Sequence, residues 1–276
     1  MSGTYLINAA IKGVIEGFTE FLPISSTGHL VLVRNFFPLT DPANAENTKR
    51  LNEVFDIVVQ FPAVLAIVLL FRKRLWNSLT TIRERDSSMR LWLGLVIAFV
   101  PLAVTGLMFQ KYLEEHLAKP VPIAIALILG GVVLLLIEKA LSSVSVQQVE
   151  DVPLPTAFQI GLFQCLALFP GTSRSAATII GGRLKGLSRT AAAEFSFFLA
   201  LPTIGAAFGY KLLQEYKTID WASDGLILAI GCVTSFITAW IVVALFIKIL
   251  EKYSMAMFGW YRIALGIIVL LVAKHL

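Results

Sequence analysis

The chain has 276 residues, of which 57% are hydrophobic and 15% charged, with a mean hydropathy of +0.79. Ordinary soluble domains carry about 25% charged residues, so this composition excludes a typical soluble fold and points to several membrane segments. The formal charge of +5 would suit nucleic acid, but Arg72, Lys73, Arg74, Arg83, Arg85 and Arg90 crowd one stretch between apolar segments, which is the signature of a cytoplasmic loop.

In chain order, the first apolar stretch covers about 6–33 and is interrupted by Pro23-Ile24-Ser25-Ser26-Thr27-Gly28. It does not read as a cleaved signal peptide: a basic leader is missing, and Lys12, Glu16 and Glu20 interrupt the apolar run. Three spans follow, at about 55–71, 91–109 and 121–137. A second broken stretch, about 157–182, is interrupted by Pro170-Gly171-Thr172-Ser173-Arg174-Ser175, and spans at about 193–210, 225–247 and 255–273 complete the chain. Each limb of a broken stretch has roughly 10–14 residues, about 15–21 Å of helix, enough to reach mid-bilayer and not to cross it. Both therefore read as re-entrant helix–loop–helix hairpins, since non-helical backbone at that depth survives only inside protein or beside water. The alternative is two ordinary spans kinked by proline. The expected fold class is an all-α polytopic membrane protein with six full spans and two re-entrant hairpins.

The order hairpin, span, span, span occurs twice, over 1–150 and 151–276. Gly13-x-x-Glu16 resembles Gly161-x-x-Gln164, Phe55 and Pro62 match Phe195 and Pro202, and Phe99 can be set against Phe236. Three full spans per half is an odd number, so the halves should insert with opposite orientation. With 72–90 cytoplasmic, both termini lie outside, the first hairpin enters from outside, the second from the cytoplasm, and their tips meet near the midplane. Cys165 and Cys232 lie in apolar segments and read as packing residues. Trp76, Trp92, Trp221 and Trp260 fall near segment ends, where an aromatic belt would place them.

The tips carry the candidate chemistry. Ser25, Ser26, Thr27, Thr172 and Ser173 are good N-caps, and two helix N-termini facing each other make an anion site. Arg174 has no acidic neighbour in sequence. A phosphate is a fitting partner for its planar fork, although an ion pair with Glu16 or Glu20 would also satisfy it. Glu16 and Glu20 share one helix face and repel unless a cation or a proton sits between them. Ser26 and His29 share a face of the second limb, the minimum for a hydroxyl activated by an imidazole, although a serine cap followed by a histidine is a common arrangement. Arg262, a second charge within a span, is expected to pair with Glu194 or Asp56, or to touch a ligand.

With these residues in view, the chain resembles the undecaprenyl-diphosphate phosphatase family, the membrane enzymes also known as bacitracin-resistance proteins. The resemblance runs along the whole chain and is most specific at Glu16-Gly17-Phe18-Thr19-Glu20-Phe21-Leu22-Pro23-Ile24-Ser25-Ser26-Thr27-Gly28-His29 and at Pro170-Gly171-Thr172-Ser173-Arg174-Ser175-Ala176-Ala177-Thr178. It implies hydrolysis of undecaprenyl diphosphate to undecaprenyl phosphate and phosphate, which recycles the carrier lipid of peptidoglycan synthesis and confers bacitracin resistance. It also implies a divalent cation (Mg²⁺ or Ca²⁺), a bacterial inner-membrane location and a site open to the outer side. The family's functional residues fall on Glu16, Glu20, Ser26, His29 and Arg174. The expected roles are then Ser26 as nucleophile and His29 as acid/base group, with Arg174 and Glu20 also catalytic. The cation would sit at Glu16 and Glu20, and phosphate contacts would come from Ser25, Thr27, Gly171, Ser173, Ser175 and Thr178. Attack by His29 or by an activated water is the rival chemistry. A polyprenyl-phosphate flippase is the rival function, because inverted repeats with broken helices are a transporter architecture. Oligomeric state is left open, a homodimer included.

Overall fold

The structure is a computed structural model and describes residues 3–34, 36–40, 45–140, 144–217 and 219–273. The expectation for the two termini falls outside these residues. The described residues form twelve α-helices. They are α1 (Gly3–Thr19), α2 (Ser26–Val33), α3 (Ala45–Val58), α4 (Gln60–Leu70), α5 (Arg72–Thr80), α6 (Asp86–Leu117), α7 (Pro120–Ala140), α8 (Leu154–Gln164), α9 (Arg174–Leu184), α10 (Arg189–Glu215), α11 (Trp221–Lys252) and α12 (Ala256–Val272).

Five helical stretches are long and apolar enough to cross a bilayer: Glu46–Leu70, Asp86–Phe109, Pro120–Lys139, Arg189–Gln214 and Trp221–Lys252. The sixth expected span is α12, whose 17 residues make about 26 Å of helix. The first span starts well before the expected residue 55, because α3 runs into α4 with one interruption at Val59. Polar residues over 46–54 made that segment look like a loop. In the fold they find partners in the bundle: Asn52 accepts from the buried Lys12 ammonium at 2.7 Å and Arg50 pairs with Asp224 at 2.8 Å, while Asp56, within the expected span, pairs with Arg34 at 2.8 Å. Buried polar groups stand only where such partners exist.

The basic loop contains α5, which turns Trp76 outward and Arg74 inward. Arg74 binds Glu150 of the loop before α8 and Glu194 of α10. Burial pushes the Glu150 carboxyl up, but the bonds and charge from Arg74 outweigh it and hold that group below its ordinary value. Trp76, Trp221 and Trp260 are exposed, whereas Trp92 is only partly so and donates to the Ser78 hydroxyl at 3.2 Å. Both cysteines are free and half-buried.

Helices close on one another through glycine. α1 packs on α11, α8 on α6, and α7 on α12. A Cβ on Gly13 would come within 2.4 Å of the Gly231 carbonyl oxygen, and one on Gly161 within 2.4 Å of the Ala98 carbonyl oxygen. Gly231 in turn lies against Phe55, and Gly94 against Phe195. Gly161→Ala is expected to push α8 off α6 and cost about 1–3 kcal/mol, as overpacking against backbone does. Thermal unfolding in detergent measures it. An unchanged midpoint would mean that the two helices part freely.

Candidate functional site

Both broken stretches restart their helix with the same device. After α1, a turn through Pro23 leads to Ser25, which caps α2 by accepting from the Gly28 N–H and holds φ 72°, ψ 99°. After α8 and a 3₁₀ turn at Cys165–Leu168, the chain passes Gly171 to Ser173, which caps α9 by accepting from the Ala176 N–H and holds φ 73°, ψ 118°. These serines are the two non-glycine residues with positive φ among the described residues. Left-handed backbone costs an L-residue of order 1 kcal/mol or more, so the surrounding structure must hold both tips in place.

Arg262 and Ser175 supply that hold. The Arg262 guanidinium, fully buried, donates to Pro23 O and Gly171 O at 3.2 Å each, and to Ala126 O and Leu127 O of α7. Gly130 makes room for it, since a Cβ there would sit 2.3 Å from Nη2. The expected ion pair with Glu194 or Asp56 is therefore wrong: Glu194 is taken by Arg74 and Asp56 by Arg34. A buried guanidinium with five donors can be satisfied by carbonyls alone. Ser175, also fully buried, donates to Leu22 O at 2.8 Å and so ties the second break to the first.

The tips bring Ser26, Glu20 and Arg174 into one line. Ser26 Oγ donates to Glu20 Oε2 at 2.9 Å, and Arg174 Nη2 donates to Glu20 Oε1 at 3.3 Å. Arg174 Nη1 donates to Ser196 O at 2.9 Å, its Cζ lies 5.8 Å from the centre of the Phe21 ring, and its Nε has no partner. The pairing left open in the sequence is thus with Glu20. Thr178 Oγ1 lies 2.9 Å from Arg174 O and 2.7 Å from Ser196 Oγ, and Ser173 Oγ lies 3.0 Å from Ser175 Oγ. Several expected phosphate contacts are engaged inside the protein: Ser25 by its cap, Ser175 by Leu22, Thr178 by Ser196, and the Gly171 carbonyl by Arg262. Thr27 is exposed.

Ser26 and His29 share α2 but are not hydrogen-bonded to each other. His29 Nδ1 meets Ser25 O at 2.8 Å and Nε2 meets the Tyr261 hydroxyl at 2.7 Å. Tyr261 and Ser196 escaped the sequence reading. A tyrosine near a span end reads as belt and a serine in an Ala/Phe-rich helix as packing, and only the three-dimensional arrangement separates them from that background.

Glu16 is wholly buried, and neither of its oxygens has a hydrogen-bond donor; the group beside it is the Glu20 carboxyl. Two adjacent carboxylates, of which Glu16 has no donor, fit a cation or a shared proton between them. The described residues contain no group of three or more His, Cys, Asp or Glu that could enclose a metal. Protein ligands for a divalent ion would thus be Glu16 and Glu20, with the rest from phosphate and water, as is usual for Mg²⁺. Asn8, Lys12 and Glu16, four residues apart, form a buried polar stripe down α1 that Glu20 continues just past its end.

Fold and site together define a polytopic helical membrane protein with a buried, charged centre where two helix breaks meet. The chain belongs to the family described as Bacitracin resistance protein BacA, whose model matches residues 9–268. Among curated relatives, "Undecaprenyl-diphosphatase" of Nitrosospira multiformis is 45% identical, covering 97% of this chain and 95% of its own length. "Undecaprenyl-diphosphatase 1" of Chromobacterium violaceum is 44% identical (96% and 95%). "Undecaprenyl-diphosphatase" of Thermoanaerobacter sp. is 43% identical (98% and 98%).

Proposed function

We propose that this protein hydrolyses undecaprenyl diphosphate to undecaprenyl phosphate and inorganic phosphate, and so recycles the carrier lipid of cell-wall synthesis and protects against bacitracin. Its family membership and the names of relatives more than 40% identical over nearly the whole chain support the reading. The single observation that carries the chemistry is the Ser26–Glu20–Arg174 line at the apposed helix breaks.

In this mechanism Ser26 Oγ attacks the terminal phosphorus, its proton passes to Glu20, and the bridging P–O bond breaks to release undecaprenyl phosphate. Water then hydrolyses the phosphoserine. The 2.9 Å bond from Ser26 to Glu20 favours Glu20 over His29 as first proton acceptor. Arg174, with Nε unengaged, has a donor to offer the transferring oxygens. His29 serves the later proton transfers. A divalent cation held by Glu16 and Glu20 would neutralise phosphate charge. The twinned serine caps and the matched Gly231–Phe55 and Gly94–Phe195 contacts support an inverted repeat of 1–150 and 151–276 with two re-entrant hairpins. The basic α5 loop supports a cytoplasmic face on that side and a site open to the outer side of the bacterial inner membrane.

Phosphate release from undecaprenyl diphosphate by purified protein in detergent tests the reading. Release should stop with EDTA and return with excess Mg²⁺ or Ca²⁺. Undiminished release after exhaustive chelation would remove the cation and leave a shared proton between Glu16 and Glu20. Absence of release under any cation, together with carrier-lipid translocation in liposomes, would replace hydrolysis by transport.

A further inference from the structure

We propose that Tyr261 is a positioning residue for His29, fixing the tautomer and plane of the imidazole while leaving it free to change charge. The inference rests on the hydrolase reading above and adds to it a residue that neither motif contains.

The hydrogen bonds of His29 determine its tautomer. Nδ1 lies 2.8 Å from Ser25 O, and a carbonyl oxygen can only accept, so Nδ1 carries a proton. In the neutral ring Nε2 therefore holds the lone pair, and it lies 2.7 Å from the Tyr261 hydroxyl, which donates to it. When Nε2 takes a proton, the same phenol oxygen accepts from the new N–H. A hydroxyl can do both, whereas a carboxylate in its place would favour the imidazolium and a backbone N–H would favour the neutral ring. A partner indifferent to charge is what a group that must both take and give a proton requires.

The rings are also fixed in plane. The His29 and Tyr261 rings lie 8° from parallel with centroids 5.6 Å apart, so the phenol limits rotation of the imidazole as well as bonding to it. Ser26 makes no competing bond to His29, because its hydroxyl is given to Glu20. Tyr261 is 45% exposed, which places the pair at the open edge of the site, where an incoming lipid phosphate has access. Next to it on α12, Arg262 binds both helix breaks. One turn of α12 thus sets the backbone of the site through Arg262 and the imidazole of the site through Tyr261.

The experiment compares wild type, Tyr261→Phe, His29→Gln and the double variant. Phenylalanine keeps the ring contact and removes only the hydroxyl. Tyr261→Phe should keep the melting temperature and KM and lose about tenfold in kcat, the size of one hydrogen bond. In the His29→Gln background the same change should have no further effect. A Tyr261→Phe protein with wild-type kcat, or one losing the same factor in both backgrounds, overturns the proposal. The ring ¹⁵N shifts of His29, assigned by their loss in His29→Gln, give a readout independent of turnover. The Nε2 shift should move in Tyr261→Phe, and an unmoved shift overturns the proposal. Should the wild type release no phosphate, the hydrolase reading fails while the ¹⁵N shifts still decide whether Tyr261 sets the state of His29.

Discussion

Arg174→Ala, purified and folded, is expected to release phosphate from undecaprenyl diphosphate about a thousandfold more slowly than wild type, the scale seen when an arginine that stabilises a transferring phosphoryl group is removed. The geometry explains why the effect should fall on kcat. Arg174 is anchored by Ser196 O and by Glu20, and its Nε is free within a buried site. In the proposed mechanism it is a preorganised donor that would gain a partner when charge develops on phosphate oxygens. Its removal also strips Glu20 of its counter-charge, so Glu20 becomes a poorer resting place for an unpaired negative charge. Arg174→Lys should recover only part of the loss, because an ammonium cannot hold Ser196 O, Glu20 and a phosphate in one plane. Phosphate release under single-turnover conditions separates the chemical step from product release. Trapped phosphoserine at Ser26 in a slowed variant would support covalent catalysis, while near wild-type turnover by Ser26→Ala would point to attack by His29 or by water. A mere tenfold loss in Arg174→Ala would mean that its ion pair with Glu20 is structural and that phosphate is held elsewhere.

The coarse architecture was legible because bilayer thickness imposes a length on every apolar run, and five of the six expected spans meet it. The two helix breaks were legible because proline, glycine and hydroxyls coincide at both. Less legible were positions where polarity and burial part company. The start of the first span was missed because Arg50 and Asn52 look like loop residues until Asp224 and Lys12 come to meet them from other helices. Within the site, helical spacing put Ser26 and His29 on one face and Glu16 and Glu20 on another. Spacing along one helix does not say which neighbour across the break each side chain bonds. Ser26 turned to Glu20 and His29 to Tyr261, one contact across a turn and the other 232 residues away in sequence. Arg262 was misassigned for a related reason. A lone cation in a span prompts a search for an acid, and the bare carbonyls of two helix breaks, which no residue name reveals, proved to be its partners.

Those carbonyls lead to the second large effect. Arg262→Met, which keeps length and apolar volume, is expected to lower stability by about 2–5 kcal/mol, because Pro23 O and Gly171 O lie outside regular helix and would be left buried without a donor. For a chain of this size that corresponds to a fall of about 5–15 °C in the unfolding midpoint in detergent. Activity should fall with it, since both serine caps hold strained backbone and depend on the surrounding structure to keep them there. Gly130→Ala approaches the same contact from the other side: its Cβ would press on Nη2 from 2.3 Å, so the guanidinium must leave one or more of its carbonyls. A brace between the two breaks predicts that both variants lose stability and turnover together. An Arg262→Met protein that melts with the wild type but no longer turns over would instead make Arg262 a direct ligand of the diphosphate, and the two helix breaks would then owe their apposition to Ser175 and the packing around Phe21.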